Sequence, residues 1–194
     1  MKASTNIETA RLLLRPFTEE DLDIIHALYS DPEIMRYTPF DPKTPEQSQA
    51  HLDQLIAEWK KEKPLNLEYA VILKSEGKKI GRAHILIDEE TDSAMVGGML
   101  LKPYWGNHYA KEMALAMIDY SFDILQVHRV TGLCNPGNIG SWKMMENCGM
   151  RREAYFRRKC RYVKNGEAHW EDELVYAILP EERKRTRNQA VSEH

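Results

Sequence analysis

Apolar positions along the chain follow two spacings, and each spacing predicts a different kind of element. Short apolar runs bounded by turn residues predict β-strands at residues 11–15, 67–74, 79–88, 94–101, 129–134, 151–161 and 170–179. Apolar residues three and four positions apart predict helices that begin near Thr18, Pro45, Gly106 and Asn138. We therefore expect about seven strands and about four helices.

The order of these elements indicates one mixed sheet. Three consecutive strands over residues 67–101 predict an antiparallel meander, whereas the strand–helix–strand unit over residues 94–134 predicts parallel pairing through a right-handed crossover. An Asn165-Gly166 turn signal precedes the last strand. We expect an α+β fold with a mostly antiparallel sheet in a single domain over residues 1–180, followed by a polar C-terminal tail at 181–194.

Composition excludes several classes of protein. The 194 residues carry a net charge of −3 and 42% hydrophobic side chains, which suits one soluble domain and provides no positive field for nucleic acid or an anionic membrane. No signal peptide and no membrane-spanning stretch is visible, so we expect a cytoplasmic protein without membrane contact. The three cysteines and seven histidines lack metal-binding spacing, which indicates a reducing compartment and no metal.

A basic run at residues 151–161 is the one segment that suggests nucleic acid, since it holds six Lys or Arg residues in eleven. With a period of two, one strand face would carry Arg151, Glu153, Tyr155, Arg157, Lys159 and Arg161. The opposite face would carry Ala154, Phe156, Cys160 and Tyr162. A solvated strand face explains the charges better than a binding patch, so a nucleic-acid partner is not expected.

The stretch from Met99 to Phe122 joins a buried strand through a short loop to an amphipathic helix, which is predicted over residues 106–125. Such a joint directs free backbone N–H groups and the positive end of the helix dipole at one spot, which favours phosphate binding. No Walker loop and no dinucleotide fingerprint is present. An ordinary strand–loop–helix joint is the alternative interpretation.

The loop residues Tyr104 to Glu112 spell YWGNHYAKE and resemble the pyrophosphate-binding loop of the GNAT N-acetyltransferase superfamily. The closest resemblance is to the ribosomal-protein N-terminal acetyltransferases, whose loop often has the form YWGxGYAxE, with glycine in place of His108. Two further segments resemble the same family. One is the start of the chain, where residues 9–15 and 31–34 match. The other is an N-x-x-S-x-x-x-x-E-x-x-G segment with Asn138, Ser141, Glu146 and Gly149.

This resemblance implies direct acetyl transfer from acetyl-CoA, as cosubstrate and without a metal, to the primary amine of a protein N-terminus or a small molecule. Backbone groups near Met99 and Leu100 would bind the pantetheine arm between two splayed parallel strands. The pyrophosphate would be held by the backbone of Trp105, Gly106, Asn107, His108, Tyr109 and Ala110, with Lys111 beside it. Asn138 would also bind the pantetheine. A solvent lysine and a pure helix N-cap are the alternative interpretations of Lys111 and Asn138.

The proton transfers are less well specified by the resemblance. Many family members use a Tyr as the acid, but Met145 occupies that position here, which leaves Ser141 as the candidate donor to the departing thiolate. Relatives often carry Glu where this chain has Met95, so the base is unassigned. The three candidates on the neighbouring strand and turn are His84, Asp88 and Glu89.

The sequence determines neither the acceptor amine nor the oligomeric state. A protein N-terminus, a lysine side chain, a polyamine, an aminoglycoside and a small amine are all served by this fold. The departures at His108, Met95 and Met145 sustain an alternative function, a non-catalytic CoA-binding or sensor domain. The sequence does not decide between a monomer and a homodimer.

Overall fold

The computed structural model describes residues 6–164 and 166–183, which form one mixed sheet with helices on both faces. Its strands are β1 (Ile7–Glu8), β2 (Leu12–Pro16), β3 (Asn66–Leu73), β4 (Lys78–Asp88), β5 (Ser93–Leu100), β6 (Arg129–Cys134), β7 (Arg151–Lys164) and β8 (Glu167–Ile178). Its α-helices of two turns or more are α1 (Leu22–Ser30), α2 (Pro45–Trp59), α3 (Tyr109–Asp123) and α4 (Ile139–Asn147). The predicted α+β class is confirmed, with the two-residue β1 added to the expected seven strands.

The strands lie in the order β1-β2-β3-β4-β5-β6-β8-β7. Every neighbouring pair is antiparallel except β5 and β6, which are parallel. The exception follows from α3, because a strand that returns through a helix on one face of the sheet must run in the same direction as the strand before it. The predicted meander and the predicted parallel pair are both confirmed.

Alternating side chains divide the core between the two faces of the sheet. On one face, α3 buries Met113, Met117 and Ile118 against strands β2 to β6. On the other face, α1 and α2 pack around Ala70 of β3 through Ile25, Leu28, Leu52 and Leu55. Truncation of one such fully buried side chain typically costs about 2–5 kcal/mol, so both faces are needed for stability.

The ends of several elements differ from the predictions. The predicted start of α3 at Gly106 is wrong, because His108 adopts left-handed backbone angles (φ 61°) and the helix begins at Tyr109. The Thr18 capping box lies at the N-terminus of a short 3-10 turn, Glu19–Asp21, and α1 begins only after that turn, at Leu22. β8 begins three residues before the predicted position, because its pairing with β7 continues to the turn. Asn165 of the turn signal and residues 184–194 of the predicted tail lie outside the described residues.

The strict period of two expected for the basic run is wrong. Irregular pairing between Arg152 and Ala154, and again between Phe156 and Cys160, inserts extra residues into β7, and Arg158 has a φ of 49°. Aromatic side chains are exposed on both faces, since Tyr155 is 51% and Phe156 is 44% accessible. Sequence periodicity could not anticipate this, because bulges concentrate on edge strands, where no second neighbour fixes the register. The six basic residues are all exposed.

A buried carboxylate ties the end of β2 to the start of α1. Asp21 is fully buried and accepts hydrogen bonds from Arg15 Nη1 and Nη2 at 2.7 and 2.8 Å, and from the Thr18 backbone N–H at 2.8 Å. Burial alone would raise the pKa of Asp21. The hydrogen bonds from Arg15 and Thr18 outweigh burial and hold the pKa below its usual value. The ionised carboxylate is therefore the form that stabilises this corner.

We expect Asp21→Asn to lower the free energy of unfolding at pH 7 by about 3 kcal/mol, because Arg15 loses its charged partner. The folded pKa lies below the unfolded value of about 3.9, so the wild-type advantage should be complete above that pH and be lost as the pH falls through the folded pKa. Urea denaturation at pH 7 and near pH ~3 measures both effects. The control is Asp23→Asn at an exposed neighbour, which should cost less than about 1 kcal/mol. Equal losses in the two variants would contradict the assignment.

Candidate functional site

The parallel strands β5 and β6 pair over three residues and then separate. The pairing joins Ser93 to Arg129, Ala94 to Val130 and Met95 to Thr131. Beyond this point β5 stays with β4 as far as Leu100, and β6 stays with β8 as far as Cys134. The two strands therefore diverge toward their C-terminal ends and open a cleft within the sheet. Gly98 is exposed at this cleft although it lies on an interior strand.

The register of β5 decides which backbone groups face the cleft. The N–H of Leu101, the residue after β5, donates to the carbonyl of Ile80 in β4 at 2.9 Å. In an antiparallel pair, successive residues direct their backbone N–H and C=O groups alternately toward the partner strand and away from it. The backbone of Met99 therefore points toward β4, whereas the backbones of Gly98 and Leu100 point into the cleft. The Leu100 carbonyl accepts from Trp105 Nε1 at 2.7 Å.

Of the two residues expected to bind here, Leu100 thus faces the cleft with its backbone and Met99 does not. Gly98, which lies on the same side as Leu100, was missed by the sequence reasoning. A Cβ at Gly98 would lie 2.6 Å from the Arg82 carbonyl and 2.7 Å from Met113 Cε, so the position is closed to larger residues. The signal that could have identified it is the Gly97-Gly98 pair inside a strand, since strand glycines often mark a close backbone approach.

The loop that follows β5 presents backbone N–H groups. Residues Lys102–Tyr104 form a single 3-10 turn, after which Gly106 and His108 both take left-handed angles, with φ 77° and 61°. The first acceptor of α3 is the His108 carbonyl, which takes the Glu112 N–H at 3.1 Å. The N–H groups that precede Glu112 in the first turn therefore have no acceptor within the helix. His108 adopts the conformation that glycine adopts most readily, which explains how the loop keeps its form without glycine here.

The N-terminal segment supports this loop from outside the cleft. Glu112 of α3 accepts hydrogen bonds from Thr9 Oγ1, from the Arg11 N–H at 2.9 Å and from Arg11 Nε at 2.6 Å. The Arg11 guanidinium also donates to the Asn107 carbonyl at 3.2 Å and lies 4.4 Å from the centre of the Tyr109 ring. Two segments that the family resemblance found separately are thus in contact, and Arg11 holds the loop in place. Sequence spacing alone gave no signal for this contact.

The predicted phosphate-binding residues are brought together at the mouth of the cleft. Trp105, Gly106, Asn107, His108 and Lys111 are exposed, and Tyr109 and Ala110 are half-buried. Lys111 makes no side-chain ion pair with any described residue. A cation in the first turn of a helix opposes the helix dipole, so its ammonium gains most from an anion at the loop.

The other wall of the cleft is formed by the end of β6 and the start of α4. Asn138 caps α4, since its Oδ1 accepts the Ser141 N–H at 3.2 Å. The Ser141 hydroxyl lies close enough to the thiol of Cys134, the last residue of β6, to lower the pKa of that thiol slightly against the effect of burial. Ser141 therefore lies at the open end of the cleft. Met145, which stands in place of a family tyrosine, packs its sulfur beneath Gly132 of β6.

Two of the three candidate bases lie away from this cleft. Asp88 accepts from Thr91 Oγ1 at 2.8 Å and from the Glu90 N–H at 3.0 Å in the exposed β4–β5 turn. Glu89, in the same turn, pairs with Lys63. His84 is opposite Gly97, level with the open part of β5. Asp88 is four residues further along β4, or about 13 Å at the usual strand rise, so only His84 lies near the cleft.

The imidazole of His84 is a hydrogen-bond donor and a very weak base. Its Nδ1 lies 2.6 Å from Arg82 Nη2. An arginine can only donate, so Nδ1 accepts and the proton of the neutral ring is on Nε2. Burial, assisted by the Arg82 charge, lowers the pKa of His84 to about 3. His84 thus directs a neutral N–H group toward its surroundings.

Within residues 6–164 and 166–183, no cluster of three or more His, Cys, Asp or Glu side chains is arranged to hold a metal ion. In the same part of the chain, no helix is both long enough and apolar enough to cross a membrane.

Comparison with known proteins identifies the family. The model of the GNAT acetyltransferase domain matches residues 11–151. An uncharacterized N-acetyltransferase of Bacillus subtilis, YnaD, is 34% identical over 178 residues, which cover 91% of this chain and 98% of the relative. The crystal structure of a GNAT-family acetyltransferase from Bacillus anthracis is 31% identical, with a TM-score of 0.80 over 91% of this chain and 99% of that one.

More distant neighbours share the fold. A spermidine N-acetyltransferase from Vibrio cholerae, solved with CoA and spermine, has a TM-score of 0.76 at 21% identity, over 91% of this chain and 99% of that chain. A putative ribosomal-protein-serine acetyltransferase from Vibrio cholerae and a ribosomal-protein-S5-alanine acetyltransferase from Vibrio fischeri share the fold at 20% and 23% identity. The chain, with its splayed strands and its N–H-lined loop, therefore belongs to the GNAT family and is an acetyl-CoA-dependent N-acetyltransferase.

Proposed function

We propose that the chain transfers an acetyl group from acetyl-CoA to a primary amine of a protein N-terminus or a small molecule by direct attack in the cleft between β5 and β6. The observation that carries the proposal is the position of the loop. β5 turns away from β6 after Met95 and runs directly into a loop whose N–H groups face the mouth of the same cleft. Acetyl-CoA fits both features at once, because its pantetheine arm can lie in the cleft while its pyrophosphate lies at the loop.

The chain's own groups suit each part of acetyl-CoA. The N–H groups from Gly106 to Ala110 would hold the pyrophosphate, because left-handed residues such as Gly106 and His108, placed on either side of Asn107 just before a helix N-terminus, can turn several backbone N–H groups toward one anion. Lys111 would contribute a positive charge. The inward-facing backbones of Gly98 and Leu100 would pair with the amides of the pantetheine arm, in place of the missing β6 partner. The Asn138 side chain, whose oxygen caps α4, would keep its amide N–H groups for the arm.

Direct attack is favoured over an acetyl-cysteine because the nearby thiols are poor nucleophiles. Burial raises the pKa of Cys134 to about 11 and that of Cys148 to about 12. Both side chains are therefore protonated at neutral pH, and only a thiolate attacks efficiently. All three cysteines are free thiols, which also supports a reducing, cytoplasmic setting.

In this mechanism the neutral amine of the acceptor forms the new N–C bond as the C–S bond breaks. The departing sulfur takes up a proton, which Ser141, at the open end of the cleft, would donate. An alkyl ammonium has a pKa of about 10.4, so a base or a water chain must remove the amine proton before or during attack. His84 is excluded as that base by its occupied Nδ1 and its low pKa.

The sequence also left open a non-catalytic CoA-binding or sensor domain, which membership of an acetyltransferase family disfavours. The observation on its side is Met145, which packs under Gly132 where other members of the family place an acid. A thiol-release assay with a panel of amines separates the two candidates, because a sensor would bind CoA without releasing its thiol in response to any acceptor.

We expect Gly106→Pro to weaken acetyl-CoA binding at least tenfold. Proline fixes φ near −65°, whereas Gly106 has φ 77°, and the change also removes one N–H from the loop. Titration calorimetry measures the affinity. The matched control is Gly77→Pro in the β3–β4 turn, where φ is 65° and the same strain arises away from the cleft. Both variants should lose stability, but only Gly106→Pro should lose affinity. Wild-type affinity no better than millimolar would refute the proposed site.

We expect Ser141→Ala to lower kcat by about 10²-fold with little change in acetyl-CoA affinity, because a single positioned proton donor typically contributes that much. The backbone N–H that bonds Asn138 is retained, so α4 should keep its cap. Lys143→Ala, at an exposed position of the same helix, is the control and should keep full activity. Unchanged kcat in Ser141→Ala would remove the donor role. An acetylated cysteine, detected by mass spectrometry before acceptor is added, would instead refute direct attack.

A further inference from the structure

A polar cluster lies between the sheet and helices α1 and α2, on the face opposite α3. Its members come from two helices, one loop and two strands: Tyr29, Lys43, His51, Glu68, Arg82 and His84. Arg82 and Glu68 are 8% and 5% exposed, so the centre of the polar cluster is buried. Buried charges are costly unless paired, so the partners of each member need to be accounted for.

Arg82 makes its contacts within the polar cluster through Nη1 and Nη2, whereas its buried Nε has no hydrogen-bond partner in the described part of the chain. Its Nη2 donates to Glu68 Oε1 at 2.9 Å and to His84 Nδ1 at 2.6 Å, and its Nη1 donates to the Tyr29 hydroxyl. Glu68 is thus paired with Arg82, although its buried Oε2 accepts no hydrogen bond from any described residue. The same contacts hold the His84 ring in one orientation and one tautomer, with its Nε2–H available.

Lys43 leaves the polar cluster with an excess of positive charge. The Lys43 backbone N–H donates to the Tyr29 carbonyl at 2.8 Å, and its ammonium lies 4.7 Å from the centre of the Tyr29 ring. Among the described residues this ammonium has no hydrogen-bond acceptor and no direct ion pair, and the Glu68 carboxylate acts on it only through space. His51 packs edge-on against Tyr29 and its buried Nε2 also lacks a partner. Two cations, Lys43 and Arg82, thus share one carboxylate.

Burial and the Arg82 charge lower the pKa of Lys43, which agrees with an ammonium that is short of negative partners. An anion beside Lys43 would relieve this imbalance. No described side chain supplies one, so a bound molecule is the natural source.

The polar cluster adjoins the open part of the cleft through His84. A Cβ added at Gly97 would lie 2.6 Å from His84 Cε1 and 2.7 Å from Nε2, so the imidazole covers the bare backbone of Gly97. Gly97 is two residues beyond the last β5–β6 pair, within the stretch where the cleft has opened. An acceptor that entered over α1 and α2 would meet Lys43 and the His84 N–H next to the acetyl group.

We propose that the acceptor is a small amino acid with a free carboxylate, which Lys43 and the Nε2–H of His84 recognise while the amine faces the cleft. This inference rests on the proposed acetyl transfer. A polyamine fits poorly, because its positive charges would lie near Lys43 and Arg82. A carboxylate adds the missing negative charge and accepts both hydrogen bonds.

The test compares each of the twenty amino acids with its primary amide, and includes spermidine, in a thiol-release assay with acetyl-CoA. For the best acceptor we expect kcat/KM of the acid to exceed that of the amide by about 10- to 100-fold, the usual range for a charge-assisted hydrogen bond. Lys43→Met keeps most of the length of the side chain without its charge, and should abolish this preference while acetyl-CoA affinity stays the same. Lys60→Met, at an exposed position after α2, is the control and should retain the preference.

Amides or spermidine that react as well as the acids would overturn the inference, as would a preference that survives in Lys43→Met. If no amine is acetylated, the proposed function fails, and the inference is decided by binding instead. Calorimetry would then compare N-acetylated amino acids with their N-methylamides on the CoA-loaded protein. Tighter binding of the acids, by about tenfold and dependent on Lys43, supports the carboxylate site, whereas equal binding or none overturns it.

Discussion

The separation of β5 from β6 is the constraint on which the site depends. Three paired residues anchor the two strands, and the hydrogen-bonding capacity of β5 beyond Met95 is then directed into a cleft rather than to a neighbour. Unpaired strand backbone in the interior of a sheet is costly unless another group occupies it. A ligand with amide groups would resolve that cost, which is the physical reason for proposing this stretch of β5 backbone as a binding surface.

The sheet can open at this point because both strands are held from their outer sides. β4 keeps β5 in register to Leu100, and β8 keeps β6 in register to Cys134. The loop after β5 is held in turn by Arg11 and Glu112, which join the start of the chain to α3. The cleft is therefore a rigid feature of two half-sheets, and the loop at its mouth is fixed by contacts outside the ligand site.

The two faces of the sheet have different tasks. The face under α3 and α4 is apolar and supplies stability through side chains such as Met117 and Ile118. The face under α1 and α2 includes the Arg82–Glu68 pair, which a hydrophobic pair could replace at little or no loss of stability. Its position next to the open cleft lets it orient His84 and gives the polar cluster the charge on which the proposed recognition of the acceptor depends.

The sequence by itself determined the elements, the parallel pair and the loop. The helical spacing of α3 and the apolar run Arg129–Cys134 were sufficient because periodicity reports which side of an element is buried. The residues from Trp105 to Lys111 could be singled out as a candidate phosphate-binding loop because their pattern is contiguous. Only the tertiary structure decided that the backbone of Gly98 rather than that of Met99 faces the cleft, because this depends on which residues of β5 form hydrogen bonds to β4. It also decided that Lys43, Arg82 and His84 lie in one cluster, because contacts between separate elements produce no periodic pattern in the sequence.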